Sequence, residues 1–199
     1  MPSASSSKVP STSRRLAQVS APLLSRALRA KFGAVKLFLC DVDGVLTDGT
    51  VFMAGDSEAK QFNILDGLGL RLLQRAGIKV GWISGRPSPA TRHRAHDLQI
   101  DFLKEGEKSK AAEIESILAA TGLSWKDVSY MGDDILDLAP LKRAGLSIAV
   151  ANAIPEAKSL AHYVTKASGG RGAIREVTDL ILKAQQQWDR MIQSHTEGR

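Results

Sequence analysis

A single cysteine, Cys40, is all that the 199 residues hold, so an intramolecular disulfide and a cysteine-built zinc site are both excluded. Aromatic residues are scarce, at 5%, which removes the stacking platforms that single-stranded nucleic acids use. No apolar run approaches the roughly 20 residues of a membrane-spanning helix, and the start has no secretory apolar core. The expectation is a soluble cytoplasmic protein with neither nucleic acid nor membrane as partner. Acidic residues are missing from residues 1–40, which carry Lys8, Arg14, Arg15, Arg26, Arg29, Lys31 and Lys36. The net charge of +6 therefore comes from this stretch, and the remainder is nearly neutral, without the basic face of a nucleic-acid binder.

With 43% hydrophobic residues, the chain can bury one full core. Residues 1–12 are rich in Ser and Pro and read as a disordered tail. Residues 13–34 read as a helical segment interrupted near Pro22; an acid-free start rich in Ser and Arg also fits an organelle transit peptide. A main domain over 35–192 and a flexible end at 193–199 complete the division. Within the domain, short apolar runs alternate with helical patterns, as in βαβ units on a parallel sheet. Strands are expected at Lys36–Cys40, Lys79–Ser84, Asp101–Leu103, Val128–Met131, Ser147–Val150 and Tyr163–Thr165. Helices are expected over 68–76, 89–98, 109–120, 135–143, 155–161 and 173 to about 192. Two β-like runs around Gly55-Asp56, Thr50–Met53 and Ala59–Ile64, read as a hairpin inserted after the first strand. The fold class is α/β, a Rossmann-like parallel sheet with helices on both faces and no cap domain.

Ligands of open α/β sheets bind beyond the carboxyl ends of the strands. Four polar clusters fall there: Asp41, Ser84-Gly85-Arg86, Glu105-Gly106 and Gly132-Asp133-Asp134. In the run DVDGVLTDG from Asp41, alternation along a strand would turn Asp41 and Asp43 apart, so a turn at Asp43-Gly44 must bring both to one site. A calcium loop does not fit the run, because its glycine falls at the fourth position and Phe52 stands at the twelfth.

DVDGVLTDG, Ser84-Gly85-Arg86, Lys110 and Gly132-Asp133-Asp134 with Asp137 together resemble, in order, the four motifs of the haloacid dehalogenase superfamily. FNILDGLGLR from Phe62, GGRGAIREV from Gly169, the hairpin and the missing cap further resemble the 3-deoxy-D-manno-octulosonate 8-phosphate phosphatases. The resemblance implies a Mg²⁺-dependent phosphomonoester hydrolase in the synthesis of the lipopolysaccharide core sugar. It implies Asp41 as nucleophile and Asp43 as general acid and base. Ser84 and Lys110 would hold the phosphoryl oxygens, with Lys108 as the competitor of Lys110. Asp41, the Asp43 carbonyl and Asp133 would bind the metal, supported by Asp134 and Asp137, although helix capping accounts for that pair equally well. Asn63, Ile64, Leu65, Asp66, Gly67, Arg71, Arg86 and Arg94, with Asp43 and Lys110, would contact substrate, the arginines through bidentate pairing with acidic groups. A homotetramer with hairpins meeting centrally is implied as well, with Gly169–Gly172 bearing on a neighbour's site; a flexible loop before the last helix is the local alternative. Leu65 departs from the basic residue the family carries before Asp-Gly. Two other readings therefore stay open: a phosphatase for another acidic sugar phosphate, such as a nonulosonate 9-phosphate, and a non-catalytic assembly domain of the same fold.

Overall fold

The computed structural model describes residues 24–55, 57–106 and 109–197. The tail and the first half of the helical segment expected from the sequence, together with Lys108, lie outside the described residues. A six-stranded, wholly parallel sheet forms the centre. Its strands are β1 (Leu37–Cys40), β4 (Lys79–Ser84), β5 (Phe102–Glu105), β6 (Val128–Gly132), β7 (Leu146–Ala149) and β8 (Tyr163–Val164), in the order β5-β4-β1-β6-β7-β8. All four residues of β1 are buried, as a central parallel strand covered on both faces requires. Strand order reverses between β1 and β6, whose registered pairs end at Cys40 and Met131. Asp41 and Asp133 follow these two ends, at the crevice where such sheets bind ligands.

Seven of the helices, in chain order, are α1 (Arg26–Gly33), α2 (Ile64–Arg75), α3 (Pro89–Asp97), α4 (Lys110–Thr121), α5 (Leu138–Arg143), α6 (Pro155–Leu160) and α7 (Ala173–Ala184). An eighth, α8, spans Trp188–Thr196. Helices α1, α2, α7 and α8 pack as one group, and α4, α5 and α6 as another. Ser25 caps α1 by accepting from the Leu28 amide at 3.2 Å, and Phe32 of this helix is fully buried in the core. Residue 35 is thus no structural boundary: the segment just before it supplies core.

The other differences from the sequence pattern have local causes. One helix from 173 to about 192 is instead two, because Gln186 takes a left-handed backbone at φ 58° and the Gln187 amide donates back to the Leu182 carbonyl at 2.8 Å. The Gln185 side chain meanwhile donates to the Val35 carbonyl at 2.8 Å, tying the break to the start of β1. Helix α8 then continues to Thr196, through most of the end expected to be flexible. The hairpin is shorter than expected, with β2 at Phe52–Ala54 and β3 at Ser57–Ala59. Asn63 explains where its second arm ends, since its side chain caps α2 by accepting from the amides of Leu65 and Asp66.

Candidate active site

The turn after β1 forms as its residues require. Gly44 has φ +95°, and a Cβ there would overlap the Asp133 carboxylate, so glycine is needed both for backbone and for space. The amides of Val45, Leu46 and Thr47 all point to the Val42 carbonyl at 3.0–3.4 Å. Thr47, fully buried, accepts from the amides of Gly44 and Gly49. The glycine-rich Gly169–Gly172 segment buttresses this turn within the same chain. A Cβ on Gly169 would overlap the Gly44 carbonyl, and the Gly170 amide donates to the Val45 carbonyl at 2.9 Å.

Asp41 accepts from the Val42 amide at 2.7 Å, and its other oxygen lies 2.8 Å from Lys110 Nζ. Lys110, on the first turn of α4, also donates to Asp137 at 2.7 Å. Asp137 is fully buried and accepts four hydrogen bonds. Lys110 and the Tyr130 hydroxyl (2.6 Å) reach one oxygen, and the amides of Asp133 (2.9 Å) and Asp134 (3.1 Å) reach the other. Oxygens of Asp41, Asp133 and Asp137 lie within 4.8 Å of one another.

Burial and crowding of like charge show in the protonation energetics. Desolvation raises Asp133 to about 7, aided by the charges of Asp41 and Asp137. Desolvation likewise raises Asp41 to about 6, with Lys110 opposing. Burial disfavours the charged Lys110, yet Asp41 and Asp137 outweigh it, and the ammonium is held above its ordinary value. Asp133 Oδ1 is buried and has no hydrogen-bond partner among the described residues. An unpartnered carboxylate oxygen in a crowded acidic cluster fits a divalent cation with oxygen ligands. Asp137 has both oxygens engaged by four donors and Asp41 has one on the Val42 amide and one on Lys110, so Asp133 offers the open oxygen and Asp41 takes a metal by sharing an oxygen with one of its donors.

Asp43 points to the hairpin side. Lys60 Nζ lies 2.7 Å from one of its oxygens and donates to the other at 2.9 Å, and Arg86 approaches at 3.9 Å. Ser84 closes a local turn, its hydroxyl donating to the Arg86 carbonyl and accepting from the Arg86 amide. A cavity of about 380 Å³ opens beside Lys110, lined by Gly85, Gly106, Ser109, Ile135 and Leu136 among others. Glu105, at the end of β5, instead serves α3 by accepting from the Ser88 amide and pairing with Arg92.

The sequence-expected substrate contacts divide. Arg86 is 46% exposed at the site and also pairs with Glu58 at 2.5 Å. Arg94 pairs with Asp97 and lies against Gly67, where a Cβ would fall 2.6 Å from its Nη2. Ile64 and Leu65 are exposed on the first turn of α2, and Asn63 is spent as its cap. Asp66 and Arg71 are placed differently from the expectation. Asp66 is buried and accepts from the amides of Gly172 and Arg175 at the start of α7; Arg71 donates to Gln74 and to the Leu98 carbonyl. Both join helices through these bonds. Asp134 and Asp137 form a reciprocal capping box on the short turn after β6, and Asp137 is in addition the hub of the charged network. Sequence reasoning missed Lys60, Glu58 and Tyr130. Only the spacing of Lys60, two residues before Phe62 in the FNILDGLGLR run, could have drawn attention to any of them.

A family of haloacid dehalogenase-like hydrolases matches residues 103–176. The 3-deoxy-D-manno-octulosonate 8-phosphate phosphatase KdsC of Yersinia pestis is 43% identical over 152 residues, 76% of this chain and 81% of that protein. The chain belongs to this family of phosphatases. Among solved structures, the family's Moraxella catarrhalis enzyme, in complex with magnesium ion, phosphate ion and KDO, superposes with a TM-score of 0.84 at 35% identity, covering 86% of this chain and 99% of that one. A probable YrbI family phosphatase from Pseudomonas syringae gives a TM-score of 0.85 at 41% identity, covering 88% and 100%. Both cover the six-stranded body of this phosphatase, and no cap domain stands over its site among the described residues.

Proposed function

We propose that the chain hydrolyses 3-deoxy-D-manno-octulosonate 8-phosphate to the free sugar acid and phosphate, with Mg²⁺ as cofactor, in the pathway to the lipopolysaccharide core sugar. The observation that carries this reading is the pairing of Asp41 with Lys110 at 2.8 Å beside Asp133, whose buried oxygen has no partner among the described residues. Asp41 attacks phosphorus in line, forming an aspartyl-phosphate as the ester P–O bond breaks. Asp43 protonates the departing alkoxide, then takes a proton from the water that cleaves the acyl phosphate. Lys110 and the Ser84 hydroxyl balance charge on the phosphoryl oxygens. Mg²⁺, held by Asp41, Asp133 and the Asp43 carbonyl, offsets repulsion between the carboxylates and the phosphate.

Arg86 and Arg94 are the candidates for the acidic sugar, with Ile64, Leu65 and Gly67 at the rim. A homotetramer would complete the open site, supported by the exposed apolar residues Phe52 and Met53 on the hairpin and Ile64 and Leu65 beside it. A reducing cytoplasm suits the buried, unpaired Cys40. Among the described residues no helix is long and apolar enough to cross a membrane.

The test is phosphate release from a panel of sugar phosphates, with Mg²⁺ and with chelator. Strong Mg²⁺-dependent preference for the octulosonate 8-phosphate supports the proposal. Preference for a nonulosonate 9-phosphate keeps the chemistry and makes Leu65 the mark of a different substrate. Release from none of them would point to a non-catalytic domain.

A further inference from the structure

Lys60 directly follows β3, and its side chain is 0% exposed. Its ammonium spans the two oxygens of Asp43, at 2.7 and 2.9 Å, and donates to Thr91 Oγ1 at 3.2 Å on α3. An ammonium is taken out of water only at a cost that close partners must offset, so this placement holds Asp43 in one rotamer. On the far side of Asp43 stands Arg86, itself held by Glu58 of β3. Lys60, Asp43, Arg86 and Glu58 thus form a chain of alternating charge whose two ends belong to the hairpin. Glu58 also accepts from the Ser88 hydroxyl at the cap of α3, and Phe62 stacks on Trp82 at 6.2 Å between ring centroids. The base of the hairpin is fixed to the body at each of these points.

We propose that Lys60 is the positioning residue of the general acid: it aims the Asp43 carboxyl at the leaving oxygen, and the hairpin thereby sets the protonation step of its own subunit's site. The inference rests on the phosphatase reading. Arg86 alone could not do this, being 46% exposed, 3.9 Å away and engaged with Glu58. With Lys60 removed, Asp43 loses the one cation that, among the described residues, touches both its oxygens, and turns among several rotamers. A 1 Å misplacement of a catalytic group is enough to cost about 100-fold.

A proton at the leaving oxygen matters for a sugar alkoxide and hardly at all for p-nitrophenolate, which leaves without one. The experiment compares wild type, Lys60→Met and Lys60→Arg in rapid-quench formation of the Asp41 phospho-enzyme, from octulosonate 8-phosphate and from p-nitrophenyl phosphate. Lys60→Met is expected to slow phosphorylation by the sugar phosphate about 100-fold, within the range of general acid catalysis, with KM changed by less than about threefold. Its p-nitrophenol burst should stay within about threefold of wild type, which also shows that the variant is folded. Lys60→Arg, which keeps a cation in place, should recover much of the loss. Equal slowing with both substrates would reduce Lys60 to a structural part and overturn the inference, as would an unchanged rate with the sugar phosphate. Failure of the substrate reading is seen separately, in wild type, as absence of preference for the octulosonate; the variant-to-wild-type ratio on any alkyl phosphate still decides the role of Lys60.

Discussion

Replacing Asp137 by Asn should destabilise the metal-free protein by about 3 kcal/mol, and the figure follows from its four partners. Every group that Asp137 touches is a donor: Lys110, Tyr130 and two backbone amides. An amide side chain must set its NH₂ against one pair of them. Facing the two backbone amides it finds no acceptor, so the lower-energy orientation turns it to Tyr130 and Lys110. Tyr130 can rotate its hydroxyl to accept, but Lys110 has no lone pair to offer. The loss therefore falls on the Lys110–Asp137 ion pair. Breaking a buried pair costs about 3–5 kcal/mol, and the low end applies because Lys110 keeps Asp41 at 2.8 Å. For a chain of this size about 3 kcal/mol is about 6–12 °C in Tm. Urea unfolding and thermal melting with chelator present would measure it, with Asp134→Asn as the control. That residue sits at a cap where Asn serves as well as Asp, and should change stability by less than about 0.5 kcal/mol. Equal, small effects at both positions would refute the assignment of Asp137 as the buried hub.

Mg²⁺ affinity should rise about tenfold from pH 6 to pH 8 from Asp133 alone, because a proton held to about 7 competes with the metal; isothermal titration at several pH values with proton-release measurement checks this. In the metal-free protein the same raised values of Asp41 and Asp133 mean that the folded state binds more protons than the unfolded one between about pH 4 and 7. Its stability should fall as pH rises through that window, and saturating Mg²⁺ should abolish the fall; melting curves across pH would show it. Asp66→Ala should cost about 2 kcal/mol by stripping the start of α7 of its acceptor, while KM for the sugar phosphate stays unchanged. A raised KM in that variant would restore Asp66 to the substrate site. Gly44→Ala should abolish activity and weaken Mg²⁺ binding, since the added methyl overlaps the Asp133 carboxylate; activity and metal titration on folded protein test it.

Most of the sheet was legible because buried parallel strands read as continuous apolar runs, and Lys79–Ser84 runs as expected. Asp41, Lys110 and Asp133 could be found because four spaced motifs agree, and chain order then places them at the β1–β6 crevice. Contacts made across the fold left no such trace. Lys60 is one lysine beside a hairpin, and nothing in its neighbours announces that it reaches Asp43. Asp66 lies inside a motif-like run, where a polar residue reads as a ligand contact, yet its partners are amides more than 100 positions away in the chain. The break at Gln186 was invisible because glutamine is a good helix former; the turn is fixed by the Gln185 bond to Val35, which is a tertiary contact. Asp137 was read as supporting the metal ligands, with capping as the alternative; it does both, and its burial and its bonds to Lys110 and Tyr130, which make it the charge hub, are contacts the local sequence does not show.

In the proposed mechanism the phosphoryl group passes through Asp41. Acid quench of the enzyme during turnover, reduction with borohydride and peptide mass spectrometry would convert an acyl phosphate at that residue to homoserine. Homoserine is expected at position 41 in wild type with substrate and Mg²⁺, and none in Asp41→Asn, whose turnover should be abolished with the fold intact. Turnover without modification at position 41, or homoserine at Asp43 or Asp133 instead, would contradict it.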